Sequence, residues 1–228
     1  MLSLKIIVLD TAVPAAVSLC RRDTETASGR YFGITGNTSF TGLRQGEVLG
    51  LTWDCVDFER KTLYINKQLQ KTKKVGGEYT LTRTKNGKGR VVAIAPSVVE
   101  VLKKQKHLQL RMQEQAQEAW DNPWNLVFTN ATGGCLCHMT VYKHYKKIVK
   151  AMGLPEERFH DLRHSYAVAA LESGDDIKTV QGNLGHATAS FTLDVYGHVS
   201  QRMSQQSAER MEIFIQKALE SGSKNAHA

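Results

Sequence analysis

The chain has 228 residues, which is enough for one sizeable domain or two small ones at about 100–200 residues per domain. Hydrophobic residues make up 41% of it and charged residues 23%, a balance that excludes a disordered or collagen-like chain. The formal net charge of +8 at pH 7 favours a polyanionic partner, either nucleic acid or an anionic membrane surface.

The first forty residues carry little structural signal. The apolar stretch from Met1 to Val17 is interrupted by Asp10 and Pro14, and it falls short of the ~20 apolar residues that cross a bilayer. No convincing small-x-small cleavage site follows it, so we predict neither a membrane span nor export. Residues 21–40 are polar and rich in Gly, Ser and Thr, and we expect loop or poorly ordered chain there.

A short buried helix and then a group of strands are predicted in the next part of the chain. The Leu and Val positions of residues 43–51 suit a helix with a buried face. Asn86-Gly87 is a strong signal for a hairpin turn between the second and third strands. We therefore expect one small three-stranded antiparallel sheet, built from residues 62–68, 79–84 and 91–94.

The excess positive charge coincides with these strands. Between Arg60 and Arg90 there are ten basic residues and one acid, Glu78, whereas the rest of the chain carries one net negative charge. So dense an excess repels itself unless a partner compensates it, and the DNA backbone would do so without any reading of base sequence. A solvated charged surface is the alternative interpretation. The predicted DNA contacts are Lys67, Lys71, Lys73, Lys74, Arg83, Lys88 and Arg90.

Helices dominate the remainder of the chain. Pro96 opens a long amphipathic helix, and a short strand is expected at residues 126–128. A mainly helical chain with one small sheet near its start has an α+β fold. Further helices are predicted at about 139–152, 161–173, 176–184 and 203–219, with Gly153 and Gly174 as stops.

Cysteine usage indicates reduced thiols. Four cysteines with uneven spacing do not make a disulfide framework. Cys135, Cys137 and His138 suggest zinc, but no second ligand pair follows at a suitable spacing. We therefore predict no metal site and a cytoplasmic protein.

Four short motifs, which contain Arg44, His160 with Arg163, His186 and Tyr196, have residues suited to phosphate chemistry. His160 and Arg163 are three residues apart and share one face of a helix. An arginine fork donates two hydrogen bonds to two phosphoryl oxygens and stays charged. Taken singly, each candidate has an ordinary structural explanation: Arg44 as a snorkelling arginine, His186 as a helix-end histidine and Tyr196 as a half-buried packing residue.

The joint order of these motifs resembles one family. Thr-Gly-Leu-Arg-x-Gly-Glu at residues 41–47 is followed by the basic hairpin, His-x-Leu-Arg-His at 160–164, Leu-Gly-His at 184–186 and Tyr196. This succession resembles the catalytic domain of the tyrosine recombinases, the phage integrase family, and is most similar to integrases of phages and integrative conjugative elements. The resemblance runs from Thr41 to about Val199.

The resemblance implies a role for each motif residue. Arg44 and Arg163 would grip the non-bridging oxygens of the scissile phosphate. His160 and His186 would stand beside them, and Tyr196 would be the nucleophile. The guanidinium groups supply the positive charge, so no metal or other cofactor is expected. The catalytic set implied is Arg44, Lys85, His160, Arg163, His186 and Tyr196.

The remaining roles concern proton transfer and support. Lys85 matches the hairpin lysine that acts as general acid on the leaving oxygen, and Lys88 is the alternative because hairpin lengths vary. Glu47 would support the first arginine, and His164 would lie behind the site. A phenol with a pKa near ~10 is a poor nucleophile unless nearby cations favour its phenolate. Its attack would leave a covalent 3′-phosphotyrosine, which a 5′-hydroxyl then reverses.

The resemblance also implies domains and partners. Residues 1–40 would be an atypical segment standing where such enzymes carry a DNA-clamping domain, 41–200 the catalytic domain, and 201–228 a C-terminal helix and tail. The partners would be double-stranded DNA, further copies of the chain in a tetramer on DNA, and an accessory directionality factor. Two alternatives remain open: a truncated DNA-binding remnant without recombination activity, and a type IB topoisomerase-like enzyme.

Overall fold

The computed structural model describes residues 27–72, 77–84, 87–185, 205 and 207–216. The helices are α1 (Ala27–Thr41), α2 (Gln45–Leu49), α3 (Pro96–Ala116), α4 (His138–Ala151), α5 (Asp161–Glu172) and α6 (Ile177–Leu184). Residues 207–216 are also helical. The strands are β1 (Val56–Asp57), β2 (Thr62–Ile65), β3 (Lys67–Lys71), β4 (Tyr79–Arg83) and β5 (Arg90–Ala93). The predicted α+β class is confirmed.

Two compact units divide the described residues. The larger contains the described residues from Ala27 to Ala167 together with Gly182–Gly185, and the other contains Val168–Gln181, residue 205 and residues 207–216. One continuous core of aliphatic and aromatic side chains occupies the larger unit. None of the helices in these residues is long and apolar enough to cross a membrane.

Helix α1 overturns the expectation of loop over residues 21–40, from Ala27 onward. Its buried hydroxyls satisfy themselves within the helix: Thr38 Oγ1 donates to the Ile34 carbonyl and Ser39 Oγ to the Thr35 carbonyl, each at 2.9 Å. The Ser and Thr hydroxyls are therefore buried with hydrogen-bond partners, whereas the amide of buried Asn37 in the same helix has none. Helices α2, α3 and α4 contact α1, so it supports the segment that carries Arg44. Residues 1–26 lie outside the described residues.

The strands form two sheets, and the predicted single sheet with a hairpin at Asn86-Gly87 is wrong. Strand order is β1-β2-β5 in one sheet and β3-β4 in the other, all antiparallel. Strands β4 and β5 thus pair with successive parts of residues 62–71, and not with each other. Thr84 closes the intervening loop by donating its hydroxyl to the Lys88 carbonyl at 3.0 Å.

Helix α3 has a buried face that includes two glutamines. Gln105 donates to the Val127 carbonyl at 2.9 Å, and Gln109 donates to the Leu126 carbonyl at 2.8 Å. Residues 126–128 were expected to be a strand, but Leu126 forms only an isolated bridge with Thr52. The segment is buried irregular chain because the α3 glutamines, instead of a neighbouring strand, bind its carbonyls.

The later helices agree with the expectations. Helices α4, α5 and α6 lie within a residue or two of the predicted ranges. Gly153 and Gly174 follow α4 and α5 with φ values of 75° and 102°, the left-handed conformation that commonly ends a helix. Helix α6 ends in the same way at Gly185. For the last predicted helix, residues 207–216 are helical and the rest of its range lies outside the described residues.

Replacing Gln109 with leucine should destabilise the fold. The change removes the donor to the Leu126 carbonyl and the acceptor of the Trp53 Nε1–H, which is 2.6 Å away. The Leu126 carbonyl keeps a bond from Asn122 Nδ2 at 3.1 Å, so the main cost is the Trp53 Nε1–H left without an acceptor. The free energy of unfolding should fall by about 2 kcal/mol, measured by urea denaturation. Gln113→Leu on the exposed side of α3 is the control, expected to change it by less than about 0.5 kcal/mol. Equal effects of the two changes would contradict this role.

Candidate active site

Arg44 lies at the amino end of α2, and the expectation that it sits within a helix is wrong. Its backbone is extended (φ −70°, ψ 151°) and forms the N-cap of α2. Leu43 and Leu49 are fully buried and fix this short helix in the core. The Arg44 side chain is 37% exposed. A charged group is therefore held at the surface by a backbone anchored in the interior.

Glu47 binds Arg44 from inside the protein. Its carboxylate accepts the Arg44 backbone N–H and Nη1, both at 2.9 Å, and the Nη1 and Nη2 groups of Arg90 at 3.0 and 2.7 Å. The side chain is 1% exposed. Burial by itself raises the pKa of Glu47, but the hydrogen bond and charge of Arg90, then those of Arg44, outweigh burial and lower that pKa below its ordinary 4.5. The carboxylate is thus ionised and fully hydrogen-bonded, as the predicted supporting role requires.

Arg90 belongs to this buried network, and its predicted role as a DNA contact is not supported. Its side chain is 13% exposed and pairs with Glu47 through both terminal nitrogens. The remaining Nε–H donates to the Asn183 carbonyl at 2.8 Å. The sequence alone does not show whether an arginine in a basic segment faces solvent or a buried carboxylate. The one signal of a buried partner for Arg90 was Glu47, an acid within an otherwise apolar helix.

Arg163 projects from α5 into the interior. Its side chain is buried, and it donates to the Gly42 carbonyl at 2.6 Å and to the Leu184 carbonyl. Gly42 has φ +65°, and a Cβ there would lie 2.4 Å from Tyr166 Cδ1. Only glycine allows the segment before Arg44 to approach α5 this closely. The Thr-Gly-Leu-Arg motif therefore positions both arginines.

Three guanidinium groups meet at the carboxyl end of α6. The carbonyls of residues 183–185 are the ones a helix end leaves without intrahelical donors, and they carry partial negative charge. Arg90 Nε donates to the carbonyl of residue 183 at 2.8 Å. Arg163 Nη2 donates to that of residue 184, and Arg44 Nη2 to that of residue 185 at 3.4 Å. Arginines from β5, α5 and the start of α2 are thereby brought to one turn. His186 follows that turn directly in the sequence.

His160 lies at the surface immediately before α5. Its ring packs edge-on against His164, with ring centroids 4.9 Å apart and planes at 87°. Desolvation lowers the pKa of His160 below its ordinary 6.5, and the positive charges of Arg163 and Arg44 lower it further. The neighbouring Asp161 charge opposes this shift but does not outweigh it, so the surroundings of His160, including both arginines, favour its uncharged imidazole.

The other predicted site residues fall outside the described residues. These are Lys85, His186 and Tyr196 of the catalytic set, and Lys73 and Lys74 of the DNA-contact set. The structure thus describes Arg44, His160 and Arg163, and it brings the two arginines to the same turn.

The remaining predicted DNA contacts lie on or beside β3 and β4. Lys67 and Arg83 are cross-strand partners, and Lys67 Nζ also pairs with Asp54 at 3.4 Å. Lys71, Arg83 and Lys88 are exposed. These side chains give the β3–β4 sheet a positively charged surface.

A second basic surface on α4 was missed by the sequence reasoning. The helix contains four lysines and no acid. Lys143, Lys147 and Lys150 are exposed and recur every three or four residues, which places them on one face. Scoring charge in a 14-residue window would have found this stripe, which the large excess at residues 60–90 obscured.

Cys137 forms the N-cap of α4 and contacts the β3–β4 sheet. Its Sγ accepts a hydrogen bond from Tyr79 Oη at 3.3 Å, and this bond is the main reason that the pKa of Cys137 is lowered to about 7. Cys135 is also a free thiol. In the described part of the chain, no group of three or more His, Cys, Asp or Glu side chains is arranged to hold a metal ion.

The fold occurs in solved integrases and recombinases. The Tn1549 transposon integrase, solved in complex with transposon right end DNA, aligns with a TM-score of 0.68 at 19% identity, over 87% of this chain and 64% of that one. XerA recombinase aligns with a TM-score of 0.62 at 20% identity, over 87% of this chain and 62% of that one. These likenesses define the class of fold.

Sequence relationships identify the family. The model of the phage integrase family matches residues 17–203. A XerC-like tyrosine recombinase of Caldanaerobacter subterraneus is 34% identical over 77% of this chain and 47% of its own length. The integrase of Staphylococcus phage L54a is 25% identical over 78% of this chain and 50% of its own. The chain belongs to the phage integrase family, and it spans about half the length of the curated relatives it matches.

Glu47→Gln should destabilise the protein at neutral pH. The neutral amide leaves Arg44 and Arg90 without their shared counter-charge, which should cost about 3 kcal/mol of unfolding free energy, the lower end for breaking a buried pair. Because folding lowers the pKa of Glu47, the carboxylate contributes fully above pH 4.5, and its contribution is lost as the pH falls through the folded-state pKa. The difference between the two proteins should therefore shrink in acid. Glu100→Gln, at an exposed ion pair, is the control, and a loss as large there would refute the assignment.

The pKa of His160 should respond to the two arginines. An NMR titration of its ring should give a pKa below 6.5, and Arg44→Met should raise it because a positive charge is removed. Arg60→Met, an exposed arginine on the β1–β2 turn, serves as the control and should leave it unchanged. A His160 pKa above 6.5 in the unmodified protein would show that the arginine field does not reach the ring.

Proposed function

We propose that this chain cleaves and rejoins DNA strands through a covalent 3′-phosphotyrosine at Tyr196, as the strand-exchange domain of a site-specific recombinase from a mobile element. The observation that carries the proposal is the meeting of Arg44 and Arg163 at one turn, with His160 beside them. Family membership supports the reaction class. The names of the relatives, which include phage and transposon enzymes, support the origin.

The electrostatics of the arginine cluster suit a phosphodiester. Arg44, Arg90 and Arg163 carry three positive charges and Glu47 carries one negative charge, so the cluster keeps two net positive charges. The carbonyls of residues 183–185 orient the guanidinium groups without neutralising them. Negative charge builds on the equatorial oxygens of a phosphate in transfer, and fixed donors that stabilise such charge supply much of the catalytic effect.

The chemical step transfers the phosphoryl group from one oxygen to another. Tyr196 releases its phenolic proton to solvent, because the nearby cations favour the phenolate. The phenolate oxygen then attacks the scissile phosphorus and forms the 3′-phosphotyrosine bond, while the bond from phosphorus to the 5′-oxygen breaks. Lys85, or Lys88 beside it, gives a proton to the departing 5′-oxygen. His186 follows the turn that the arginines bind, and we assign it to the phosphate oxygens. The 5′-hydroxyl of another strand reverses the step, so the bond energy is conserved.

Two basic surfaces account for binding to double-stranded DNA. The β3–β4 sheet contributes Lys67, Lys71 and Arg83, and α4 contributes the stripe that contains Lys143 and Lys147. Contacts from such residues to phosphates position the enzyme and carry no base information. The Tn1549 transposon integrase, which shares the fold, was solved in complex with transposon right end DNA, and this supports the same partner here. Lys73 and Lys74 are part of the proposal because they lie in the basic segment of residues 60–90. Assembly as a tetramer on DNA and an accessory directionality factor are also part of it and rest on family membership.

Tyr196→Phe should abolish covalent capture and leave DNA affinity nearly unchanged. The assay is an SDS-resistant protein–DNA adduct on nicked suicide duplexes taken from the ends of the element that encodes this chain. Removing one phenolic oxygen deletes the nucleophile but no cation, so affinity and its salt dependence should persist. Tyr64→Phe, at an exposed tyrosine on β2, is the matched control and should still form the adduct.

Four results would contradict the proposal. An adduct that persists in Tyr196→Phe would refute the nucleophile assignment. So would a large loss of DNA affinity in that variant. Absence of an adduct in the unmodified protein, despite salt-sensitive binding to the same duplexes, would instead indicate a DNA-binding remnant. Relaxation of supercoiled plasmid without any defined site would favour a type IB topoisomerase-like enzyme.

A further inference from the structure

Arg90 connects two parts of the site that are far apart in the sequence. Its two terminal nitrogens bind both oxygens of Glu47 at 3.0 and 2.7 Å, and its Nε–H binds the Asn183 carbonyl at 2.8 Å. All three contacts use one rigid, planar group. The side chain is 13% exposed, so little of the guanidinium is left to face a ligand in solvent.

The first connection runs through Glu47 to Arg44. Each Glu47 oxygen accepts one bond from Arg90 and one from Arg44. Because both arginines share the same two oxygens, the orientation of the carboxylate that Arg90 sets is the orientation that Arg44 meets. Arg44 is more exposed than Arg90 and depends on this support for a single rotamer.

The second connection runs to the turn that precedes His186. Besides the bond to Asn183, the flat face of the Arg90 guanidinium packs against Gly185. A Cβ built on Gly185 would lie 3.0 Å from Arg90 Nη1 and 3.1 Å from its Cζ. Gly185 also has φ +63°, so its lack of a side chain allows both the turn and the close approach.

We propose that Arg90 is a positioning residue, which orients Arg44 through Glu47 and fixes the Asn183–Gly185 turn from which the chain enters His186. The inference rests on the proposed function, because its purpose is to align groups around a phosphate. A lysine could not replace Arg90, since an ammonium is a point donor and cannot span a carboxylate and a carbonyl with fixed geometry. Arg90 itself does not touch the phosphate.

The test uses Arg90→Met and Arg90→Lys, with Lys103→Met as control at an exposed ion pair on α3. Arg90→Lys keeps a cation opposite Glu47 and so guards against loss of folding. The first readout is amide hydrogen exchange, including Gly185, whose N–H bonds to the Gly182 carbonyl at 3.0 Å. The second is the single-turnover rate of adduct formation on saturating duplex, and the third is the salt dependence of DNA binding.

We expect exchange to rise locally in residues 44–49 and 182–185 in both Arg90 variants. The adduct rate per folded molecule should fall about 10²-fold, the typical effect of misplacing a catalytic group, and Arg90→Lys should not restore it. The salt slope should stay unchanged, because no phosphate contact is lost. Arg44→Lys combined with Arg90→Met should lose less than the product of the two separate effects, because one of the two routes by which Arg90 acts runs through Arg44.

Other patterns would overturn the inference. If exchange rises uniformly in the Arg90 variants while the adduct rate per folded molecule stays normal, Arg90 only stabilises the fold. A salt slope lowered by about one, as for a lost phosphate contact, would make Arg90 a DNA-binding residue. If the unmodified protein forms no adduct on any duplex, the proposed function fails. The exchange pattern then still decides whether Arg90 fixes the turn.

Discussion

The Glu47 carboxylate accepts four hydrogen bonds, from the two guanidinium groups of Arg44 and Arg90 and from one backbone N–H, while it is almost completely shielded from water. Removing a carboxylate from water is expensive, and only a full set of charged donors compensates for it. The start of α2, the first residue of β5 and the end of α6 are therefore tied to one ionised group. A shift of α2 or β5 would leave that group unsatisfied, and the end of α6 is connected to it through Arg44 and Arg90.

The rest of the unit positions those three elements. Helix α1 packs against α2, α3 and α4, and it does so with short side chains that allow close approach. On another side, Gln105 and Gln109 hold the irregular chain at residues 126–128, which packs in the same core as α1 and α2. The arginine cluster thus rests on polar contacts buried in an apolar core, each of which is geometrically specific.

The sequence was sufficient to predict the helices that have a regular apolar spacing and the site residues that belong to the family motifs. Helices α3 to α6 were predictable because apolar spacing, an initial proline and final glycines all agree. Helix α1 was missed because its Ser and Thr residues bond to their own helix, which no hydrophobic pattern reveals. The strands were found but mispaired, because pairing joins distant residues. Arg44 and Arg163 were identified by resemblance, whereas the buried role of Arg90 depends on contacts with Glu47 and Asn183 that no spacing encodes.

The carbonyl oxygens that bind Arg163 determine when its side chain becomes ordered. Because the Gly42 and Leu184 carbonyls bind this guanidinium in the free protein, the rotamer entropy of a long side chain is lost when the chain folds, and it is not lost again when a ligand arrives. A phosphodiester would meet donors that are already stationary. Such a site would select by shape, because an anion whose oxygens do not match the fixed directions of the donors would gain nothing from rearrangement.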